Sequence, residues 1–148
     1  MKIFILSLVL VFISSCNNSD DVNKFGLQTI MPVLVGKGHL NNNTIYNKQN
    51  MIITNDNDWQ KLLTNFNTID NNIVATFKET NIDFDNYQII VSIDVKNRST
   101  TVDITNIVES INNITVTIQN SQLGLTQDVA FPFHIVKIQK SQKPIIFK

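Results

Sequence analysis

Trp59, Leu62, Leu63 and Phe66 recur at helical spacing within a stretch, residues 56 to about 67, that is otherwise mostly polar. Side chains three and four apart share one face of a helix, so the spacing predicts a single amphipathic helix whose apolar stripe covers a sheet. Thr54 or Asn55 can cap its free amides, and Asp56 and Asp58 suit its positive end. Elsewhere the period shortens to two. Ile114, Val116 and Ile118 alternate with Thr115, Thr117 and Gln119, and Val102 and Ile104 alternate with Thr101, Asp103 and Thr105. Both runs predict strands with one wet face. Residues 88–94 are a nearly continuous apolar run of strand length, which predicts a central strand. Residues 32–38 read as a first strand with a glycine-marked bend. Ile45-Tyr46 followed by residues 51–54 form a second extended segment, and residues 145–147 a last short one. Residues 129–139 predict a long strand interrupted by Pro132, which implies an edge position or a bulge because proline cannot donate to a ladder.

The connections are polar. Asn41-Asn42-Asn43 is a turn, Asn112-Asn113 a hairpin turn, and residues 82–87 a turn with two aromatic anchors. Residues 68–80 form a connection with Phe77 tucked in, and residues 96–99 and 121–127 are loops. Hairpin-linked strands with one helix predict an α+β domain, a mostly antiparallel β-sheet with one amphipathic helix packed on it.

The N-terminus follows a different pattern. Lys2 precedes an apolar run from Ile3 to Ile13, and Ser14-Ser15-Cys16 closes it. A charged start, a short apolar core and small residues at the exit are the parts of an export signal. The run is too short to span a bilayer, which takes roughly 20 helical residues. Ile13-Ser14-Ser15-Cys16 resembles the lipobox read by lipoprotein signal peptidase. The expectation is a signal peptide over residues 1–15, a lipid on Cys16, a polar tether over residues 16–30, and one domain over residues 31–148. Each buried methylene contributes about 0.8 kcal/mol, so several acyl chains on one residue hold a protein without a spanning segment. Asn17 directly after the cysteine argues against inner-membrane retention. The expected location is therefore the outer membrane, facing the periplasm or the surface.

Composition removes several function classes. Twelve basic and twelve acidic residues balance, so nothing points to nucleic acid. Arg98 is the sole arginine, which leaves no arginine cluster for phosphate. Cys16 is the sole cysteine, which excludes a disulfide within one chain and, once acylated, a thiol nucleophile. His39 and His134 fall in different elements with no acidic or serine motif beside either. His134 reads as an ordinary strand residue and His39 as a solvated one. No zinc-ligand cluster is present. Asp83 and Asp85 around Phe84 read as turn formers rather than calcium ligands, since no glycine and distal glutamate follow in register. Trp59 reads as core rather than a sugar platform. No phosphate loop or dinucleotide fingerprint occurs, and no cofactor is expected.

The order of pieces carries a resemblance. Met51-Ile52-Ile53-Thr54 leads into a helix containing Asp58-Trp59-Gln60-Lys61-Leu62-Leu63, and Ile82-Asp83-Phe84 precedes Ile89-Ile90-Val91. Val102-Asp103-Ile104 leads by a hairpin to Ile114-Thr115-Val116-Thr117, and Phe133-His134-Ile135-Val136-Lys137-Ile138 follows. From about Val33 onward this resembles the C-terminal domain of the protease complex subunit PrcB family, noncatalytic subunits that accompany a surface protease. Members of that family carry Gly-Gly-Tyr after the central strand; here Lys96, Asn97, Arg98, Ser99, Thr100 and Thr101 stand there instead. A contact made through that loop would be lost or altered in this chain.

Together these readings predict a noncatalytic lipoprotein, held at the membrane by lipid on Cys16, that acts as a protein-binding accessory module. The resemblance implies a surface or periplasmic protease as the partner. Lys96, Asn97, Arg98, Ser99, Thr100 and Thr101 are the candidate binding loop, with residues 121–127 beside them. A peptidase inhibitor and a carbohydrate-binding or adhesive module are the alternatives.

Overall fold

The computed structural model describes residues 26–41, 45–96, 100–122 and 129–148. Cys16 and residues 1–15 lie outside them. Among the described residues the elements are β1 (Gln28–Thr29), β2 (Val33–His39), β3 (Gln49–Ile53), α1 (Asp56–Ile69), a 3-10 turn (Val74–Thr76), β4 (Tyr87–Ile93), β5 (Thr100–Glu109), β6 (Ile114–Gln122), β7 (Pro132–Gln139) and β8 (Ile145–Phe147). The fold is α+β and mostly antiparallel, as the periodicities predict.

The strands do not form one sheet. They divide into two, ordered β2-β7-β4-β3 and β1-β5-β6-β8, with β6 and β8 parallel and the other pairs antiparallel. Three layers result: helix, first sheet, second sheet. Trp59, Leu62, Leu63 and Phe66 of α1 pack with Val35, Ile89, Val91, Ile93, Phe133 and Ile135 on one face of the first sheet. Ile90, Val136 and Ile138 on its other face meet Ile104, Ile107, Ile114 and Val116 of the second. β4 is therefore covered on both sides, which explains its unbroken apolar run.

Local chemistry sets the element ends. Asn55 caps α1, its side-chain oxygen accepting from the Asp58 amide at 3.0 Å. The helix runs to Ile69, where the Asp70 amide still reaches the Phe66 carbonyl at 2.9 Å. Trp59 is fully buried and its indole N–H donates to the Thr80 carbonyl at 2.7 Å. Phe77 stacks on Trp59 at 6.3 Å and meets Phe66 edge-on at 6.0 Å. Gly36 makes room for that ring: a Cβ there would stand 2.7 Å from Phe77 Cδ1.

Three expectations are corrected. The tether predicted through residue 30 gives way to the domain by Gln28, because β1 pairs with Val108 and Glu109 and the Ile30 amide donates to the Ile107 carbonyl at 2.8 Å. The strand predicted over 129–139 begins at Pro132 and lies at the centre of its sheet, between β2 and β4. A proline at the first residue of a strand removes no ladder bond, and its carbonyl accepts the Asp94 amide at 3.0 Å. The loop predicted from residue 121 starts later, since β6 continues to Gln122. A bulge lies in β5 between Ile104 and Asn106, so that Val102, Ile104 and Ile107 all reach the core although the last has opposite parity.

Candidate functional site

The described residues that flank the two predicted loops stand at the same end of the sandwich. Lys96, after β4, and Ala130, before β7, exchange both backbone hydrogen bonds, at 3.0 and 2.7 Å. Thr100 opens β5 directly opposite Gln122 at the close of β6. The stems of both loops are thus bonded into one rigid rim.

A buried polar cluster holds that rim. Alternate positions of β4 turn toward the second sheet, which places Gln88, Ile90 and Ser92, followed by Asp94, in the layer between the sheets. Asp94 is almost fully buried. Its Oδ1 accepts from the Val95 amide at 2.8 Å; its Oδ2 accepts from Asn120 Nδ2 at 2.9 Å and lies 3.2 Å from Lys96 Nζ and 3.6 Å from Lys48 Nζ. Burial alone would push this carboxyl up. The hydrogen bonds from Val95, Lys96 and Asn120, with the Lys48 charge, outweigh burial and hold it below the ordinary aspartate value. Ser92 donates to Asn50 Oδ1 at 2.9 Å, extending the cluster to β3.

A second group braces the sheets on the β2 side. His134 Nδ1 accepts the Ile104 amide at 2.9 Å, across from one sheet to the other. Lys37 pairs with Asp103, which also accepts from the Thr101 hydroxyl at 2.8 Å. His39 Nε2 donates to the Thr100 carbonyl at 2.6 Å. Burial, then the Lys37 charge, lower the affinity of His134 for a proton, against a smaller opposing pull from Asp103. His39 is exposed, as the sequence reading has it, and this bond ties it to the start of β5.

Ser92, His134 and Asp103 are residue types of a hydrolytic triad, and Ser92 and His134 are register partners. The wiring differs from a triad, in which the carboxylate accepts a proton-bearing Nδ1. Asp103 Oδ1 is 3.8 Å from His134 Nδ1, but that nitrogen already accepts the Ile104 amide, so the neutral ring carries its proton on Nε2. Ser92 spends its hydroxyl on Asn50. The arrangement braces two sheets.

Of the six predicted loop residues, Asn97, Arg98 and Ser99 lie outside the described residues. The other three make contacts within the domain, Thr100 buried and Lys96 and Thr101 partly exposed. Lys96 directs its ammonium to Asp94; Thr100 is buried in β5, its Oγ1 without a partner among the described residues; Thr101 bonds Asp103. They position the loop. Sequence reasoning missed Asp94, Asn120, Lys48, Ser92 and Asn50. A signal was present: within the run 88–94 the polar residues Gln88, Ser92 and Asp94 all fall on one parity, marking a polar face.

Other candidates are accounted for locally. Asp83 accepts from the Asp85 amide at 3.0 Å and from Asn86 Nδ2 at 2.8 Å, which is turn chemistry. Among the described residues, no three His, Cys, Asp or Glu side chains gather as a cation site would need, and no helix is long and apolar enough to cross a membrane. Buried Trp59 offers no face to a sugar. No protein-family model, curated protein or solved structure matches this chain.

Proposed function

We propose that the chain is a noncatalytic lipoprotein, anchored at the outer membrane through lipid on Cys16, whose domain binds another protein through the loops at one end of its sandwich. The observation that supports this most is the shared rim: the stems of two loops, at Lys96–Ala130 and Thr100–Gln122, are clamped together over a buried carboxylate. Binding loops on a rigid scaffold are a common way to build a recognition surface. The resemblance to the PrcB C-terminal domain makes a surface or periplasmic protease the partner to look for.

A photocrosslinking residue at position 97 or 99 of the native lipoprotein tests the reading. In intact envelopes it is expected to trap a discrete protein, whereas the same residue at exposed Asn57 on α1 traps none. Equal trapping at all three positions, or none at 97 and 99, refutes it.

A further inference from the structure

The end of the sandwich opposite the loops carries apolar side chains that the core does not use. There Leu27 is 75% exposed, Met31 82%, Ile111 67% and Val33 53%. Met31, Val33 and Ile111 border two shallow cavities flanking β1, and Leu27 directly precedes that strand. One, of about 520 Å³, is walled by Met31, Val33, Tyr87 and Lys140; the other, of about 380 Å³, by Gly26, Ile111 and Lys143. Gln28 and Glu109 line both, so the two cavities adjoin. Scattered exposed apolar residues are ordinary, but four gathered at one end imply something that covers them.

Chain length identifies the cover. Ten residue steps separate Cys16 from Gly26, a reach of at most about 36 Å at full stretch. The ten residues of β5 alone measure about 33 Å at the usual strand rise. A lipid on Cys16 therefore brings the β1 end to the bilayer readily, whereas the loop end could touch it only with the tether drawn out along the whole domain. We propose that the β1 end rests on the bilayer, with Leu27, Met31, Val33 and Ile111 entering the headgroup layer as a second attachment beside the lipid. This rests on the lipoprotein reading above, and it turns the loop rim away from the membrane.

The attraction is apolar rather than electrostatic. Lys137 pairs with Glu79, Lys143 Nζ lies 2.8 Å from Glu109 Oε1, and Lys140 donates to the Phe84 carbonyl at 2.6 Å beside a turn that holds Asp83 and Asp85. Two of these three lysines are paired with carboxylates and the third lies beside an acidic turn, so docking should depend little on anionic lipid or on salt.

Because Cys16 is the sole cysteine and its sulfur carries the lipid, single cysteines at positions 31, 111 and 57 accept an environment-sensitive fluorophore in the mature lipoprotein. Reconstituted on phosphatidylcholine vesicles, labels at 31 and 111 should shift to the blue and be quenched by brominated acyl chains, while the label at 57 should not. Added phosphatidylglycerol or salt should change neither result. Emission from Trp59 verifies the fold of each labelled protein. If the protein floats with the vesicles but labels 31 and 111 stay water-like, the docking proposal is wrong and the anchor stands. Blue-shifted but unquenched labels would show that a second copy covers the patch, which also overturns it. A protein that fails to float lacks the lipid anchor, and both readings fall.

Discussion

Replacement of Asp94 by Asn keeps the shape of the side chain and removes its charge. Oδ1 can still accept the Val95 amide. Oδ2, which takes Asn120 Nδ2 at 2.9 Å and Lys96 Nζ at 3.2 Å, is replaced by an amide that faces two donors. Hydrogen bonds to charged groups contribute roughly 1.5–3 kcal/mol each. The pairing with Lys48, at 3.6 Å on a mostly exposed side chain, contributes about 0–1 kcal/mol. Because Lys96 is partly solvated and can turn outward, the expected loss for Asp94→Asn is about 2–4 kcal/mol rather than the full sum. Urea titration followed by Trp59 emission measures it, since that indole is buried in the fold and exposed on unfolding. The pH dependence adds a second check. The folded-state pKa of Asp94 lies below its ordinary value, so its contribution is fully present above that ordinary value and is lost as pH falls through the folded one. The gap between wild type and Asp94→Asn should be constant from neutral pH down to about 5 and close only in stronger acid. A gap under about 0.5 kcal/mol, or one that persists unchanged in strong acid, would refute the argument that this carboxylate holds the rim.

Other expectations follow from single contacts. Gly36→Ala places a Cβ 2.7 Å from a Phe77 ring already packed by Trp59, Phe66 and Phe133; a loss of about 1–3 kcal/mol is expected, and combination with Phe77→Ala should be clearly less than additive in a denaturation cycle. Gln88→Leu removes a buried amide nitrogen that has no partner among the described residues, so urea midpoints should rise by the equivalent of about 1 kcal/mol; a fall would show that the amide is satisfied. His134 has a lowered affinity for a proton in the fold, so the unfolded chain protonates first and wild-type stability should decline as pH drops below about 6.5. His134→Gln should remove that part of the slope in thermal melts at pH 7 and 5.

What could be read from sequence was whatever a single element decides for itself. The stripe Trp59, Leu62, Leu63, Phe66 is periodic because one face of α1 is buried, and Ile114 and Val116 alternate because one face of β6 is. The division into two sheets could not be read, since alternation reports that a face is covered and not by what. Ile107 broke the alternation of Val102 and Ile104 because the intervening bulge reverses parity. β1 left no signal: two exposed residues, Gln28 and Thr29, belong to the domain only by pairing with distant β5. Pro132 was misleading because the rule against proline in central strands does not bind at a strand's first residue. For the site, the Asp94 cluster joins β3, β4, β6 and the stem at Lys96, and no spacing rule links positions so far apart.

The layer between the sheets changes character along its length, from Ile107, Ile114, Val116 and Ile138, with Gln88 the one buried polar side chain among them, to Ser92, Asp94, Thr100 and His134 at the loop end. Apolar contacts tolerate sliding of one sheet over the other, because one branched side chain replaces another at little loss. Asp94 and His134 do not, since a slip would strand a charge and a ring nitrogen from Asn120 and the Ile104 amide, each in the opposite sheet. The polar end therefore sets the register that brings Lys96 beside Ala130. Replacing both Asp94 and Asn120 by Leu separates register from stability. Removing both partners of a buried contact is often near neutral, unlike removing one. Lys96 and Lys48 can turn to solvent, while the Val95 amide loses its acceptor, so the double variant should unfold within about 2 kcal/mol of wild type and be no less stable than Asp94→Asn. Its amide NMR signals at Lys96, Thr100 and Ala130 should broaden or double as the rim samples alternative positions, and crosslinking through positions 97 and 99 should drop with them. Sharp single signals at those three amides would mean that apolar packing alone holds the rim, and that the buried carboxylate serves stability without specifying where the loops stand.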